Sequence, residues 1–354
     1  MRRALELAWR GVGKTSPNPA VGAVLVRNGR LIGEGWHRSA GSAHAEVAAI
    51  QHAQINRQKL AGSSLYVTLE PCCTHGRTPP CTEAILRAGI RRVVVAATDP
   101  NPRHRGRGLR LLRRAGLRVE TGLLAEEAEA LNPAFNQWIT TRRPFVIAKA
   151  ALSLDGQMAT QSGDSRWITS ETARRTARRL RAGVDAVMVG VNTVIRDDPQ
   201  LTLRLDARGG SASARQPWRV VLDSRGRCPL RSKLVSDRFR HRTMLITTNR
   251  SSARWRRSLA LRGITVLVVP AREGRVDLAA ALRALGEMEV TSVLIEGGPT
   301  LLRAAFDAGV VNRVALFFAP KVIAGAATMR DVTRVRGLWQ PLGRGECLFE
   351  GDIQ

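Results

Sequence analysis

The feature that most constrains this 354-residue chain is a set of metal-type ligands spread over separate stretches. His44 and Glu46 lie in AHAEVAAI, and Cys72, Cys73 and Cys81 follow in TLEPCCTHGRTPPC, so three of the five cysteines fall within ten residues. Zn²⁺ in a catalytic centre takes three protein ligands from imidazole and thiolate and keeps a fourth position for water, whose pKa falls from about 15.7 to about 7. His44, Cys72 and Cys81 make such a set, and Glu46 beside them can move a proton between water and a leaving group. AHAEVAAIQHA reads as a helix, SSLYVTLE as a buried strand, and PPCTEAILRAG as a helix that Pro79 and Pro80 turn the chain into. A fold that satisfies the metal must therefore bring one strand end and two helix starts to a single point. The helix start is expected to favour the thiolate at Cys81. Cys73 or His75 in place of Cys72, through a Cys-x-x-His arrangement, is the alternative ligand.

Length predicts two domains rather than one core. With 44% hydrophobic and 24% charged residues the chain can bury a sizeable core and is not a disordered segment. MRRALELAWRGVGKT has no apolar run of signal-peptide type, and no stretch reaches the ~18 apolar residues of a membrane span, so a cytoplasmic protein with no membrane partner is expected. In a reducing compartment clustered cysteines are metal ligands or catalytic groups more often than disulfides, and isolated Cys228 and Cys347 read as inert thiols. The formal net charge of +27 raises nucleic acid as a partner. Yet 51 of the 56 basic residues are Arg, spread over the whole chain, with one Tyr and seven Phe to stack on bases. That pattern resembles a coding bias more than a binding stripe, and no nucleic-acid partner is expected.

Along the first segment an amphipathic helix (Ala4, Leu5, Leu7, Ala8, Trp9) runs into TSPNPAVG. AVLVRNGRLIGEGWH follows as two strands joined at Asn28-Gly29, a pair that tolerates positive φ at both turn positions and so predicts a tight hairpin. RRVVVAATD is a further strand, GLRLLRRAGLRVETG continues the β/α order, and LLAEEAEALNPAFNQWITT reads as a closing helical stretch. The whole describes a mixed sheet with helices on its faces. TRRPFV is the join. A second α/β pattern then runs through VIAKAALSLDG, TARRTARRLRAG, DAVMVG, RVVLDS, TMLITT, ITVLVV, LAAALRALGEM, SVLIEGG, TLLRAAFDAG and VNRVALFFAPKVI. This organisation gives domains at 1–143 and 144–354, with GGSASARQP at 209–217 as a loop.

H-x-E followed by P-C-x-x-C is the signature of zinc base deaminases, with the Glu outside the metal shell. Here eight residues rather than two separate Cys72 from Cys81. PNPAVGAVLV, HAEVAAI, TLEPCCTHGRTPPC and DPNPRHRGRG together resemble the deaminase half of the bifunctional deaminase/reductase family of riboflavin biosynthesis. SLDGQMATQSGDSRWIT, VGVNTVIRDDPQLTLR and IEGGPTLL resemble its reductase half, so the likeness covers nearly the whole chain. The resemblance implies a cytidine-deaminase-like first domain and a dihydrofolate-reductase-like second. It implies zinc-dependent deamination of 2,5-diamino-6-ribosylamino-4(3H)-pyrimidinone 5′-phosphate, then NADPH-dependent reduction of the ribose to a ribityl chain, in a homodimer. By the same resemblance Asn18 contacts the pyrimidine substrate and Arg77 its phosphate. Where many relatives carry Ser-His after the first metal Cys, this chain has Cys73-Thr74.

In the second half SVLIEGGPTLLRAA reads, without the family, as strand, glycine turn and helix, a place where backbone N–H groups can meet a phosphate. It is not G-x-G-x-x-G, so a Rossmann dinucleotide fold is not supported. The resemblance implies cofactor contacts at Ala151, Trp167, Thr193, Asp197, Ser224, Gly298, Pro299, Thr300, Leu301, Leu302, Arg303 and Ala304. It implies substrate contacts at Ser165, Arg181, Leu201, Arg204 and Glu296. Both arginines suit a phosphate clamp, since guanidinium donates parallel charged hydrogen bonds. No acid or base for hydride transfer emerges.

Overall fold

The structure, a computed structural model, describes residues 1–75, 79–158, 169–203, 216–320, 323, 335–343 and 345–353. The sequence-predicted residues Arg77, Ser165, Trp167 and Arg204, and most of the 209–217 loop, lie outside them. The chain divides into two compact units, Met1–Arg143 and Pro144–Gln354.

The first unit runs α1 (Arg2–Trp9), β1 (Gly22–Arg27), β2 (Arg30–Trp36), α2 (Ala45–Ile55), β3 (Ser64–Leu69), α3 (Cys81–Arg87), β4 (Arg92–Ala97), α4 (Arg107–Arg114), β5 (Arg118–Thr121), α5 (Ala125–Ala130) and α6 (Pro133–Thr141). Its five-stranded sheet has the order β2-β1-β3-β4-β5. β1 is antiparallel to β2 and β3, whereas β3, β4 and β5 are parallel. Asn28 and Gly29 take φ of 51° and 74°, the left-handed pair that closes the β1–β2 hairpin. One face of the sheet is covered by α2, α3 and α4, through Ala45, Ala49, Ile50, Ala53, Ile85, Leu109 and Leu112 against Leu25, Leu65, Val67, Val93 and Val95. The other face receives α1 and α5, through Leu5, Ala8 and Ala128 against Leu69, Ala96 and Ala97. The apolar side of α2 is built of alanines, so it packs unusually near the sheet. A Cβ on Gly35 of β2 would stand 2.4 Å from the Ala49 backbone nitrogen. That close approach sets the start of α2 beside the end of β3.

The closing stretch is two helices rather than one. Asn132 caps α6 with Pro133 in its first turn. Proline cannot donate to the preceding turn, and it pushes the residue before it out of helical backbone.

The second unit runs β6 (Phe145–Leu152), α7 (Glu171–Ala182), β7 (Ala186–Gly190), α8 (Val191–Asp197), β8 (Trp218–Leu222), α9 (Lys233–Ser236), β9 (Thr243–Thr247), α10 (Ala253–Ala260), β10 (Thr265–Val268), β11 (Ala271–Arg272), β12 (Arg275–Val276), α11 (Leu278–Glu287), β13 (Ser292–Ile295), α12 (Pro299–Asp307), β14 (Arg313–Phe318), β15 (Val335–Gly343) and β16 (Glu346–Ile353). A nine-stranded sheet has the order β10-β9-β8-β7-β13-β6-β14-β16-β15. Its strands from β10 to β14 are parallel, and β16 and β15 add antiparallel at one edge. The central strands are near-continuous Val, Ile, Leu and Met, as sheets covered on both faces require.

Candidate active sites

In the first unit the ligand candidates converge because each closes or opens an element. His44 is the N-cap of α2 and Glu46 stands in its first turn. Cys72 follows the end of β3, and Cys81 opens α3 with Pro80 as N-cap. His44 Nδ1 lies 3.3 Å from Cys81 Sγ and 3.5 Å from Cys72 Sγ, and the three ligand atoms fall within 4.8 Å of one another. Zinc bonds of about 2.0–2.1 Å to nitrogen and about 2.3 Å to sulfur, meeting at tetrahedral angles, give N···S edges of about 3.5 Å. The donor set and spacing therefore fit Zn²⁺. Cys73 is not in the group; its side chain lines a groove with Arg107, Arg110 and Leu111. His75 is exposed. Between the sequence alternatives, geometry favours Cys72.

The helix start acts on a different thiol from the one expected. The backbone N–H of Cys81 donates to Cys72 Sγ at 3.3 Å, and Thr82 N–H donates to the Cys72 carbonyl oxygen at 3.2 Å. A hydrogen bond from Cys81 and the neighbouring His44 bring the Cys72 thiol down to about 4 despite its burial. Cys81 moves upward instead, because it shares its proton with Cys72, is buried, and stands beside Glu46. His44 is raised by its hydrogen bond to Cys72. Glu46 is 3% exposed, and burial, reinforced by the negative Cys72, lifts its carboxyl to about 7. A carboxyl poised there can take and return a proton near neutrality.

Asn18 stands at the rim of the same site. Its side-chain Nδ2 lies 3.1 Å from His37 Nε2, and the His37 ring meets the His44 ring edge-on at 5.2 Å. Ala20 is gripped by the buried Asn132, whose Oδ1 accepts from Ala20 N–H at 2.7 Å and whose Nδ2 donates to Ala20 O at 2.9 Å. Glu70 ties the β4–α4 loop to the ligand loop by accepting from the N–H groups of Asp99, Gly106, Gly108 and Leu109. His37, Asn132 and Glu70 were not singled out from sequence. Their partners lie far along the chain, and only Glu70, inside the ligand motif, carries a local signal.

In the second unit the described residues expected to contact cofactor or substrate gather at the carboxyl ends of adjacent parallel strands, where α/β sheets bind ligands. Ala151 lies near the end of β6, Thr193 and Asp197 lie on α8 directly after β7, Ser224 follows β8, and Glu296 to Gly298 follow β13. Ser224 Oγ accepts from Val276 N–H at 2.9 Å and its carbonyl accepts from Thr248 Oγ1 at 2.7 Å. Gly298 caps α12, Pro299 occupies its first turn and Thr300 is exposed there. Leu301 and Leu302 are buried in the core and Ala304 packs against it, while Arg303 is exposed and paired with Asp307 at 3.6 Å. From this stretch the backbone of the first turn is what can meet a phosphate.

Arg181 is not a free phosphate clamp. Its Nε and Nη2 donate to Glu296 at 2.6 and 2.8 Å, and Nη1 donates to the Thr202 carbonyl at 3.1 Å, beside the buried Leu201 with φ of 51°. Burial would raise the Glu296 carboxyl, but the Arg181 fork outweighs it and holds it below the usual range. Lys149 on β6 completes the group. Burial lowers its ammonium, Glu296 opposes that shift, and its Nζ lies 5.5 Å from the Phe317 ring centroid. A lone lysine in VIAKAAL, within a chain almost without lysine, was the signal available in the sequence.

Comparison with known proteins divides at the same place. Residues 1–97 match the cytidine and deoxycytidylate deaminase zinc-binding region, and residues 144–340 match the RibD C-terminal domain. The chain is 46% identical over 325 residues to riboflavin biosynthesis protein RibD of Actinobacillus pleuropneumoniae, covering 92% of this chain and 84% of that protein. It is 41% identical to RibD of Escherichia coli, covering 92% and 88%. Among solved structures, RibD of Acinetobacter baumannii superposes with a TM-score of 0.88 at 36% identity, covering 100% of this chain and 97% of that one. A diaminohydroxyphosphoribosylaminopyrimidine deaminase/5-amino-6-(5-phosphoribosylamino)uracil reductase from Thermotoga maritima superposes with a TM-score of 0.84 at 34% identity, again covering 100% and 97%.

Proposed function

The chain belongs to the RibD family of bifunctional, zinc-binding deaminase/reductases of riboflavin biosynthesis, and from that premise we propose how its residues divide the two reactions. The domain at 1–143 carries out the hydrolytic deamination and the domain at 144–354 the reduction. His44, Cys72 and Cys81 would hold Zn²⁺, which when bound would supply a hydroxide-like water nucleophile at neutral pH. Glu46 would accept a proton from water and deliver it to the departing amino group, so that ammonia leaves and a carbonyl remains. Asn18 and Arg77 bind the pyrimidine and its phosphate. The observation that carries this reading is a buried carboxyl poised near 7 against a His-Cys-Cys set of tetrahedral dimensions.

In the second unit Ala151, Trp167, Thr193, Asp197, Ser224 and the backbone from Gly298 to Ala304 would hold NADPH; those of them that the structure describes lie at or after the carboxyl ends of β6, β7, β8 and β13. Substrate is held by Ser165, Leu201, Arg204 and Glu296, with Arg181 fixing Glu296. NADPH would supply the hydride for the sugar carbon, and Lys149 would give the proton to the ring oxygen as the ribose opens to the ribityl chain. We place the enzyme in the cytoplasm, where no described helix is long and apolar enough to cross a membrane, and as a homodimer through the second unit.

Purified protein mixed with the diaminopyrimidinone ribosylamine phosphate and NADPH tests both halves in one tube. Ammonia release followed by NADPH oxidation is expected. Neither signal from a zinc-loaded sample would refute the substrate, and ammonia without oxidation would leave the second unit's reaction unassigned.

A further inference from the structure

We propose that His37 is a positioning residue for deamination that acts through Asn18. As an imidazole protonated at Nδ1, it takes up the amide NH₂ of Asn18 and leaves Asn18 Oδ1 to accept a hydrogen bond from an N–H of the pyrimidine. This inference rests on reading the first unit as an aminopyrimidinone deaminase.

The geometry leaves the ring one arrangement. His37 is 2% exposed, and its backbone N–H donates to the Val21 carbonyl at 2.9 Å, which fastens it to the end of the turn bearing Asn18. Its Nδ1 lies 3.2 Å from the Ala43 carbonyl oxygen. A carbonyl only accepts, so Nδ1 carries the hydrogen. The ring is buried with Asn18, Ala43 and His44 as neighbours and, among the described residues, no carboxylate bonded to it, so Nε2 keeps its lone pair. The group 3.1 Å from that lone pair must be a donor, which assigns the facing atom of Asn18 as Nδ2. This orientation follows from the hydrogen-bond network, the physical basis on which an amide is oriented.

With Nδ2 spent on His37, Oδ1 is the atom of Asn18 left over, and among the described residues it has no hydrogen-bond partner. The Asn18 backbone is itself fixed, its N–H donating to Thr15 O at 2.9 Å and the chain two residues on held by Asn132. An amino-4(3H)-pyrimidinone presents the N3–H donor beside the carbon that loses its amino group, and that amino group's own N–H. An acceptor at Asn18 matches that edge, whereas an inverted amide would set donor against donor, and polar mismatches in a closed site discriminate strongly. His37 also touches His44, so the ring that orients Asn18 is seated on the metal-binding group.

The test is a double-mutant cycle on the full chain: His37→Leu, Asn18→Ala and the pair, with His37→Gln as the conservative variant. Ammonia release gives kcat and KM, zinc analysis reports the metal site, and NADPH oxidation with the deaminated pyrimidine reports the second unit. His37→Leu is expected to lose about 10–100-fold in deamination kcat/KM with zinc content unchanged. His37→Gln, whose Oε1 can still accept from Asn18, recovers part of that loss. Adding His37→Leu to Asn18→Ala costs no more than about twofold. If the leucine variant loses its zinc and the glutamine variant keeps it, the cycle is run on the glutamine variant. Losses that multiply in the double variant would overturn the proposal, as would zinc loss in both His37 variants, since the ring would then be serving His44. A wild-type protein that releases no ammonia would sink the deaminase reading itself, a result distinct from either.

Discussion

Glu46 shows what burial does to one carboxyl. Set in the first turn of α2 with 3% of its surface exposed, it cannot ionise as readily as a surface glutamate, and the negative Cys72 adds to that resistance. We predict that Glu46→Gln keeps its zinc and loses about 10²–10⁴-fold in deamination rate; an active Gln variant would remove Glu46 from the mechanism. Cys81→Ala is expected to lose the metal while Cys73→Ala retains it, because Cys73 lies outside the ligand triangle. Metal analysis of the two variants decides it. The Arg181–Glu296 pair gives a pH prediction. Glu296 has its folded pKa depressed, so its contribution is complete above the unfolded carboxyl value of about 4.3 and is lost as pH falls through the lower folded value. Glu296→Gln is expected to cost the second unit about 3–5 kcal/mol near neutrality, since Arg181 is left without its counter-charge, and the gap narrows toward pH 3. Urea midpoints of the two proteins from pH 7 to pH 3 test this, and a constant gap would show that the pair's charge is not what stabilises. His44, Glu46, Cys72 and Cys81 were legible in sequence because ligand chemistry restricts residue type and spacing. Glu296 and Arg181 are 115 positions apart, and only the folded chain shows that they spend their charge on each other.

At the scale of elements, the deaminase site depends on how α4 is docked. Glu70 accepts four backbone N–H groups from the β4–α4 loop and the first turn of α4, and Gly108 lets that turn close on the ligand loop. A Cβ on Gly108 would stand 2.3 Å from the Pro71 carbonyl oxygen, which is backbone and cannot swing aside. Glu70→Ala is therefore expected to destabilise the first unit by about 2–5 kcal/mol through unpaired buried donors, measured by urea unfolding. A cost under 1 kcal/mol would mean water replaces the carboxylate. Elements with a strong period were legible: the Asn-Gly hairpin, α2, β3 and the parallel strands of the second unit. Among the described elements of the second unit, α8, α9, α10, β11, β12, β15 and β16 escaped. α8 and α10 are short helices of seven and eight residues, α10 carrying a run of arginines that hides its apolar stripe. β15, with sequence VRGLWQPLG, contains two glycines and a proline and is a strand because β16 pairs with it. An edge strand of that kind is specified by its partner more than by its own residues.

For the whole molecule, β15 poses the question of what completes the second unit. It is the last strand of the nine-stranded sheet, and among the described residues nothing pairs with its outer edge. Leu338 and Trp339 on it are 82% and 61% exposed, although neighbouring residues of a strand point to opposite faces, so neither side is covered there. Trp339 does pack at a tilt against Phe349 and Phe318, at 5.0 and 5.5 Å between ring centroids, which sets an aromatic ridge beside the open edge. Proteins ordinarily blunt such an edge with charge, bulges or a covering segment. Here Pro341 removes one donor and a register shift between Pro341 and Gly343 bends the far end, but the Leu338-Trp339 stretch keeps its apolar side chains. A second copy related by a two-fold axis presents the same ridge in reverse, which is how an isologous interface buries apolar surface without forming a fibre. We therefore predict that Leu338→Lys with Trp339→Glu converts a dimer to a monomer in sedimentation velocity. Each substitution sets a charge where the partner's apolar surface would lie. NADPH oxidation in the monomer should persist, since the candidate cofactor residues lie at the strand ends of β6, β7, β8 and β13, away from β15 in the sheet. A dimer that survives the double substitution would move the interface to another face, and a wild-type monomer would leave β15 an exposed edge with no partner of its own kind.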